Sequence, residues 1–254
     1  MDLAGKTAIV TGAGRGLGRA VSLAFAESGA NTVLFSRSRE SLLDTEREAQ
    51  RKGARTLAVS GDVTQPDQVQ AMAERATQAF GRVDVLVNNA TIIGPSRFLQ
   101  DADPAAWRSI VETNLNGPYL CSRAVLPYML ERGSGRIINV SSGLARMSFP
   151  RFCGYCSTKA GLEQMTRCLA AELSGSGILV CALDPGVMDT PMQDAIRELG
   201  EEKLGTELYS RFRGFKDKGM LREPEQVAEL AVYLASAAGL ERNGGVYSLS
   251  DMKA

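Results

Sequence analysis

Short apolar runs rich in β-branched residues alternate along the chain with longer stretches whose apolar positions recur at helical spacing. The runs predict strands at Thr7–Val10, Thr32–Phe35, Thr56–Val59, Val83–Val87, Arg136–Val140, Ile178–Leu183 and Gly245–Leu249. The stretches between them predict helices over roughly 16–28, 39–52, 66–80, 103–131, 152–174, 190–213 and 224–236. The strands are nearly all apolar, as expected where both faces of a parallel sheet are covered. Regular strand–helix alternation predicts right-handed βαβ units. The expected fold is α/β: a doubly wound parallel sheet of about seven strands with helices on both faces. No linker, repeat or low-complexity segment divides the 254 residues, so the chain reads as a single domain.

Two segments depart from this rhythm. Gly117-Pro118 and Pro127 fall inside the helical pattern of 103–131, where proline predicts breaks or kinks. The segment 190–222 is longer than a crossover needs and mixes Met192, Phe212 and Phe215 with many charges and several glycines. It reads as a lid over a site, against the plainer alternative of two surface helices and a loop.

The first strand runs into Thr11-Gly12-Ala13-Gly14-Arg15-Gly16-Leu17-Gly18 and then a helix. Glycines let backbone approach a diphosphate, and a helix N-terminus supplies free N–H groups and positive dipole. Leu17 stands where G-x-G-x-x-G would need its third glycine, so the spacing is T-G-x-x-x-G-x-G. In its strand–turn–helix context the turn marks a Rossmann-type dinucleotide site, with Gly12, Arg15, Gly16, Leu17 and Gly18 as binding residues. The second strand ends at Ser36, where an acid that would bind the ribose 2′-hydroxyl is absent. Arg37 and Arg39 follow at a helix start, where positive charge opposes the dipole. A 2′-phosphate explains that placement, through paired charge-assisted hydrogen bonds to guanidinium. Arg15 offers a second cation. NADPH/NADP+ is therefore the expected cofactor; the alternative is that the arginines are solvated surface residues.

Composition narrows the chemistry. Lys plus Arg and Asp plus Glu are 29 each, which argues against a non-specific nucleic-acid or anionic-membrane binder. No apolar run approaches the ~20 residues of a membrane span. The start, Met1-Asp2-Leu3-Ala4-Gly5-Lys6, lacks the pattern of a signal peptide, and a cytoplasmic location is expected. Five scattered cysteines do not suggest a disulfide framework. The chain has no histidine, so imidazole zinc sites and Ser-His-Asp machinery are excluded and no metal site is expected. A proton near pH 7 must come from another group. Tyr155 and Lys159 stand four apart, on one face of a predicted helix. At about 4 Å and an effective dielectric of about 20 their attraction is about 4 kcal/mol before screening. The expectation is a tyrosine pKa lowered from ~10 toward the working range of an acid–base group. Cys153-Gly154-Tyr155-Cys156 encloses that tyrosine, readable as a redox switch or as two small residues packing at a helix start.

The ordered set T-G-A-G-R-G-L-G, Asn88-Asn89-Ala90, Asn114, Ser142, Tyr155-x-x-x-Lys159 and Pro185-Gly186 resembles the short-chain dehydrogenases/reductases over essentially the whole chain. The resemblance implies that Tyr155 exchanges a proton with the substrate oxygen and that Lys159 holds the nicotinamide ribose. Ser142 would hydrogen-bond the reacting oxygen, with Ser141 a weaker candidate. Asn114 would hold a water linked to Lys159. Asp62 and Val63 would contact the adenine, though Asp62 reads equally well as a helix N-cap. Asn89 and Ala90 would line the cofactor, and Val187 and Thr190 would bind its carboxamide and diphosphate side. The expected activity is NADPH-dependent reduction of a ketone or dicarbonyl, or the reverse alcohol oxidation. A silent dinucleotide-binding regulator is the rival. The substrate pocket is expected from Thr91, Ile92, Ile93, Phe149, Phe152, Met188 and Met192, favouring a hydrophobic small molecule. A homo-oligomer, tetramer or dimer, is implied as well. Asp189–Gln193 and Phe212–Lys216 are similar to the sepiapterin and benzil reductase branch. Three departures stand out: Thr91 where glycine is usual, Asp184 before Pro185-Gly186, and an unusual C-terminal end. Asp184 is expected to point away from the diphosphate or to find a cation.

Overall fold

The computed structural model describes residues 2–239 and 242–252. Its strands are β1 (Thr7–Thr11), β2 (Asn31–Ser36), β3 (Thr56–Ser60), β4 (Val85–Asn88), β5 (Gly135–Val140), β6 (Ile178–Leu183) and β7 (Val246–Tyr247). They form one parallel sheet in the order β3-β2-β1-β4-β5-β6-β7. The strand order reverses between β1 and β4. Such a switch point opens a crevice outside the carboxyl ends of the strands.

The helices are α1 (Gly16–Glu27), α2 (Arg39–Arg51), α3 (Pro66–Phe80), α4 (Pro104–Val111), α5 (Gly117–Arg132), α6 (Cys153–Glu172), α7 (Pro191–Glu198), α8 (Gly200–Leu204), α9 (Thr206–Asp217) and α10 (Pro224–Ala235). Alternate strand residues feed opposite layers. Val10, Leu34 and Val87 pack with Val21 and Phe25 of α1 and Leu230 of α10. Ile9, Val33 and Leu86 pack with Met72 of α3 and Val125 of α5. Both faces are thus covered, which is why the strands read as unbroken apolar runs rather than alternating ones.

The break expected at Gly117-Pro118 is present: the pattern over 103–131 is two helices joined by a π turn, Glu112–Asn116. Pro118 has no N–H to continue the ladder, and the Gly117 N–H bonds back to Glu112 O instead. Pro127, expected to break or kink the helix, lies inside α5, which continues to Arg132. The run over 190–213 is not one helix but three, separated around Gly200 and Gly205, whose φ values of 72° and 80° cannot continue an α-helix. The last strand is two residues rather than Gly245–Leu249. The Asp251 carboxylate accepts from the Ser248 N–H at 2.7 Å and turns the chain into a helical turn at Leu249–Met252. No helix among the described residues is long and apolar enough to cross a membrane.

Candidate active site

A cavity of about 680 Å³ runs along the carboxyl ends of the central strands, within the roughly 300–1,000 Å³ usual for ligand sites. Ser36, Arg37, Ser38 and Ser41 line one end. Gly12, Gly14, Arg15, Gly16 and Leu17 line the middle. Thr91, Ile92, Tyr155, Lys159, Met188 and Met192 line the other end.

The glycine turn is shaped by close approach. Gly12 has φ 66°, and a Cβ there would lie 2.8 Å from the Asn89 amide nitrogen. A Cβ on Gly18 would meet Gly12 O at 2.2 Å, so only glycine lets α1 start against the turn. Arg15, the N-cap of α1, makes no side-chain cap bond, and the first turn holds no acid. Its free N–H groups and dipole suit an anionic ligand. A dinucleotide diphosphate fits this arrangement, and Gly12, Gly14, Arg15, Gly16 and Leu17 would hold it.

Thr11 and Asn89 brace the turn against β4. Thr11 Oγ1 accepts from the N–H groups of Asn89 and Ala90, both at 3.0 Å, and the Asn89 amide donates to Thr11 O at 2.8 Å. Asn89 lines the cavity, but its side chain is committed to this scaffold. The sequence motif includes Thr11 without giving it a role, although its place at the strand end before the first glycine was a signal. Asn88 is buried in the core, its amide donating to Asn139 Oδ1 at 2.8 Å. Asp62 and Val63 line the cavity. Asp62 is not a helix cap, since Gln65 caps α3; its carboxylate closes a turn with the Thr64 N–H and hydroxyl, both at 3.0 Å.

Arg37 is exposed and immediately precedes Ser38, the N-cap of α2. It faces the cavity with Arg15, whereas Arg39 does not.

Tyr155, Thr158 and Lys159 lie on the buried face of α6. Lys159 Nζ donates to Val140 O at 2.7 Å and stands 5.7 Å from the centre of the Tyr155 ring. Burial lowers the Lys159 pKa to about 7. Burial also pushes Tyr155 up to about 12; a hydrogen bond from Ser142 pulls it down, and Cys156 and Asp184 add to the rise. The expected fall in the tyrosine pKa is therefore reversed. Desolvation of the phenolate outweighs its neighbours, and at neutral pH Tyr155 keeps its proton. Ser141 lines the cavity, but its hydroxyl donates to Glu163 Oε1 at 2.7 Å; Ser142 does not line the cavity, and it acts on Tyr155 by lowering its pKa. The π turn presents Asn114. Its amide donates to Ile92 O at 2.8 Å and accepts from Ile92 N–H at 2.9 Å, and it reaches Thr158 Oγ1 at 3.3 Å.

A sequence profile described as short chain dehydrogenase matches residues 6–200. The chain belongs to this family. Members are oxidoreductases that use a nicotinamide dinucleotide and act on small molecules. The cis-4-hydroxycyclohexanecarboxylate dehydrogenase of Sinomonas cyclohexanicum is 38% identical, over 92% of this chain and 90% of that one. The 3-oxoacyl-[acyl-carrier-protein] reductase FabG of Thermotoga maritima is 34% identical, over 93% of this chain and 92% of its own. Two solved structures, an actinorhodin polyketide ketoreductase with NADPH and levodione reductase, each superpose with a TM-score of 0.89 at 29% identity. The ketoreductase covers 96% of this chain and 95% of its own, levodione reductase 96% of both.

The substrate end differs from expectation in part. Thr91, Ile92, Met188 and Met192 line the cavity. Phe152 is buried instead in an apolar cluster with Ile196, Leu204, Leu208 and Phe212, against which Ile93 and Phe149 pack. These aromatic residues hold α7–α9 down rather than facing the cavity. Thr190 lines the cavity, and Val187 does not; the Val187 carbonyl accepts from Arg222 N–H at 2.9 Å. Cys153 is exposed, and Cys156 packs against the Phe152 cluster, as small residues at a helix start do. The Asp184 carboxylate pairs with Arg146, a residue the sequence reading passed over.

Proposed function

We propose that the protein is an NADPH-dependent carbonyl reductase in which Tyr155 gives its proton to the substrate oxygen. One observation carries this reading: Tyr155, buried beside Lys159, shares a cavity with a glycine turn flanked by Arg15 and Arg37. When bound, the nicotinamide supplies hydride to the carbonyl carbon. Ser142 hydrogen-bonds the oxygen on which negative charge develops, and Tyr155 protonates it. Lys159 holds the ribose hydroxyls and, through a water held at Asn114, returns a proton to Tyr155. Arg37 and Arg15 take the 2′-phosphate. Gly12, Gly16 and Leu17 admit the diphosphate while Gly18 lets α1 start against the turn, Asp62 and Val63 receive the adenine, and Asn89, Ala90 and Thr190 frame the nicotinamide half. The α7–α9 segment acts as a lid on this single domain.

The names of relatives support a cyclic ketone or alcohol as substrate, since hydroxycyclohexanecarboxylate and levodione name two of them. Thr91, Ile92, Met188 and Met192 offer such a ring a mostly apolar wall. The dehydrogenase among the relatives favours one second reading, the same site run as alcohol oxidation.

The test is a panel of cyclic ketones, diketones and the matching alcohols, followed at 340 nm with NADPH and with NADH. Reduction that is faster with NADPH supports the proposal. Equal or better rates with NADH overturn the arginine assignment, and tight cofactor binding with no turnover of any member favours the regulator.

A further inference from the structure

Behind Ser142 lies a group of charges that the proton chemistry does not use. Glu163 sits on α6 one turn beyond Lys159 and is only 4% exposed. Its Oε1 accepts from Ser141 Oγ at 2.7 Å and from Arg146 Nη1 at 2.5 Å. The other amino group of Arg146 pairs with Asp184 Oδ2. Asp184 Oδ1 in turn accepts from the Gly186 N–H at 3.0 Å. One guanidinium therefore ties the end of β5, the middle of α6 and the loop after β6.

Ser142 stands between the two anchored positions. Ser141 precedes it, and a turn leads on to Arg146, closed by Ala145 N–H to Ser142 O at 2.9 Å and Arg146 N–H to Gly143 O at 3.1 Å. The planar guanidinium fork suits this bridge, because it fixes direction as well as charge. A carboxylate as buried as Glu163 needs such a partner. Asp184 raises the proton affinity of Tyr155, and the facing guanidinium offsets its charge. Asp184 is also the residue that departs from the family pattern before Pro185-Gly186.

We propose that Arg146, Glu163 and Asp184 are positioning residues that clamp the Ser141–Arg146 segment and keep the Ser142 hydroxyl on Tyr155. The proposal rests on the reading of Tyr155 as proton donor, and its test separates the two. In a double-mutant cycle, Arg146→Met should lower kcat on the order of ten-fold with cofactor Kd unchanged, and add nothing in a Ser142→Ala background. Tyrosine labelled with 13C at Cζ, with the Tyr155 signal assigned by Tyr155→Phe, reads the clamp without turnover. In Arg146→Met that signal should move toward its position in Ser142→Ala, and Arg146→Lys should move it less. If Arg146→Met does not fold, Glu163→Gln, nearly isosteric and not among the groups that shift Tyr155, takes its place in every arm. An unmoved Tyr155 signal, or an equal further loss of kcat in the Ser142→Ala background, overturns the clamp. A wild-type protein that reduces no carbonyl sinks the reduction reading, while the Tyr155 signal still decides the clamp.

Discussion

At the scale of single residues, burial governs the site. Tyr155 and Lys159 are both taken out of water, and each is driven toward its neutral form. For Lys159 the linkage has a definite sign. Its pKa is about 7 in the folded protein and about 10.5 in the unfolded chain. Between those values the unfolded chain holds the extra proton, so raising pH through this window favours folding. Urea midpoints at pH 7 and pH 9 should therefore rise more for the wild type than for Lys159→Met. An equal change in both proteins would contradict it. Tyr155 behaves oppositely, contributing stability below pH ~10 that is lost as pH rises toward 12. Tyr155→Phe should lose roughly 10²–10⁴-fold in kcat, the usual worth of a general acid. Cofactor affinity, read by nucleotide fluorescence, should stay within a few-fold. Near-normal turnover would exclude Tyr155 as the donor.

At the scale of elements, the α7–α9 segment is held by a few aromatic contacts. Phe212 of α9 meets Phe149, Phe152 and Phe215 with ring centres 6.5, 6.1 and 6.0 Å apart. Phe212→Ala should loosen α7–α9 by about 3–5 kcal/mol, the usual cost of removing a buried phenyl ring. Limited proteolysis should then cut first within 190–219, with the sheet intact. First cleavage elsewhere would show that this segment has no stability of its own. Around the glycine turn the opposite holds, since packing leaves no tolerance. Gly18→Ala places a methyl 2.2 Å from Gly12 O and should abolish measurable cofactor binding in calorimetry while secondary structure survives by circular dichroism. Retained affinity would mean that the turn can relax.

At the scale of the whole molecule, a dinucleotide bound as proposed would join the two ends of the cavity. Any ligand bound only by the folded state stabilises it, by about 2.7 kcal/mol at one hundred times Kd. NADPH should therefore raise Tm more than NADH at equal concentration, and Arg37→Ser should narrow that difference. An unchanged difference would remove Arg37 from cofactor choice. Much of the fold was legible because each strand and helix carries its own pattern, period by period. Ile178–Leu183 matches its observed strand residue for residue, and the other strands shift by one or two residues at their ends. What local pattern missed were breaks set by single residues, as at Gly200 and Gly205, whereas the interruption at Gly117-Pro118 was legible from the proline. Local pattern also missed the roles of Thr11, Arg146 and Glu163, whose partners lie 78, 38 and 22 residues away in sequence. The sequence by itself determined the layered sheet, the glycine turn and the Tyr155–Lys159 pair, because residue type and spacing dictate backbone geometry locally. Only the tertiary structure decided that burial keeps the proton on Tyr155 and that the Ser141 hydroxyl is tied to Glu163. Desolvation and long-range hydrogen bonds come into being only when distant segments meet.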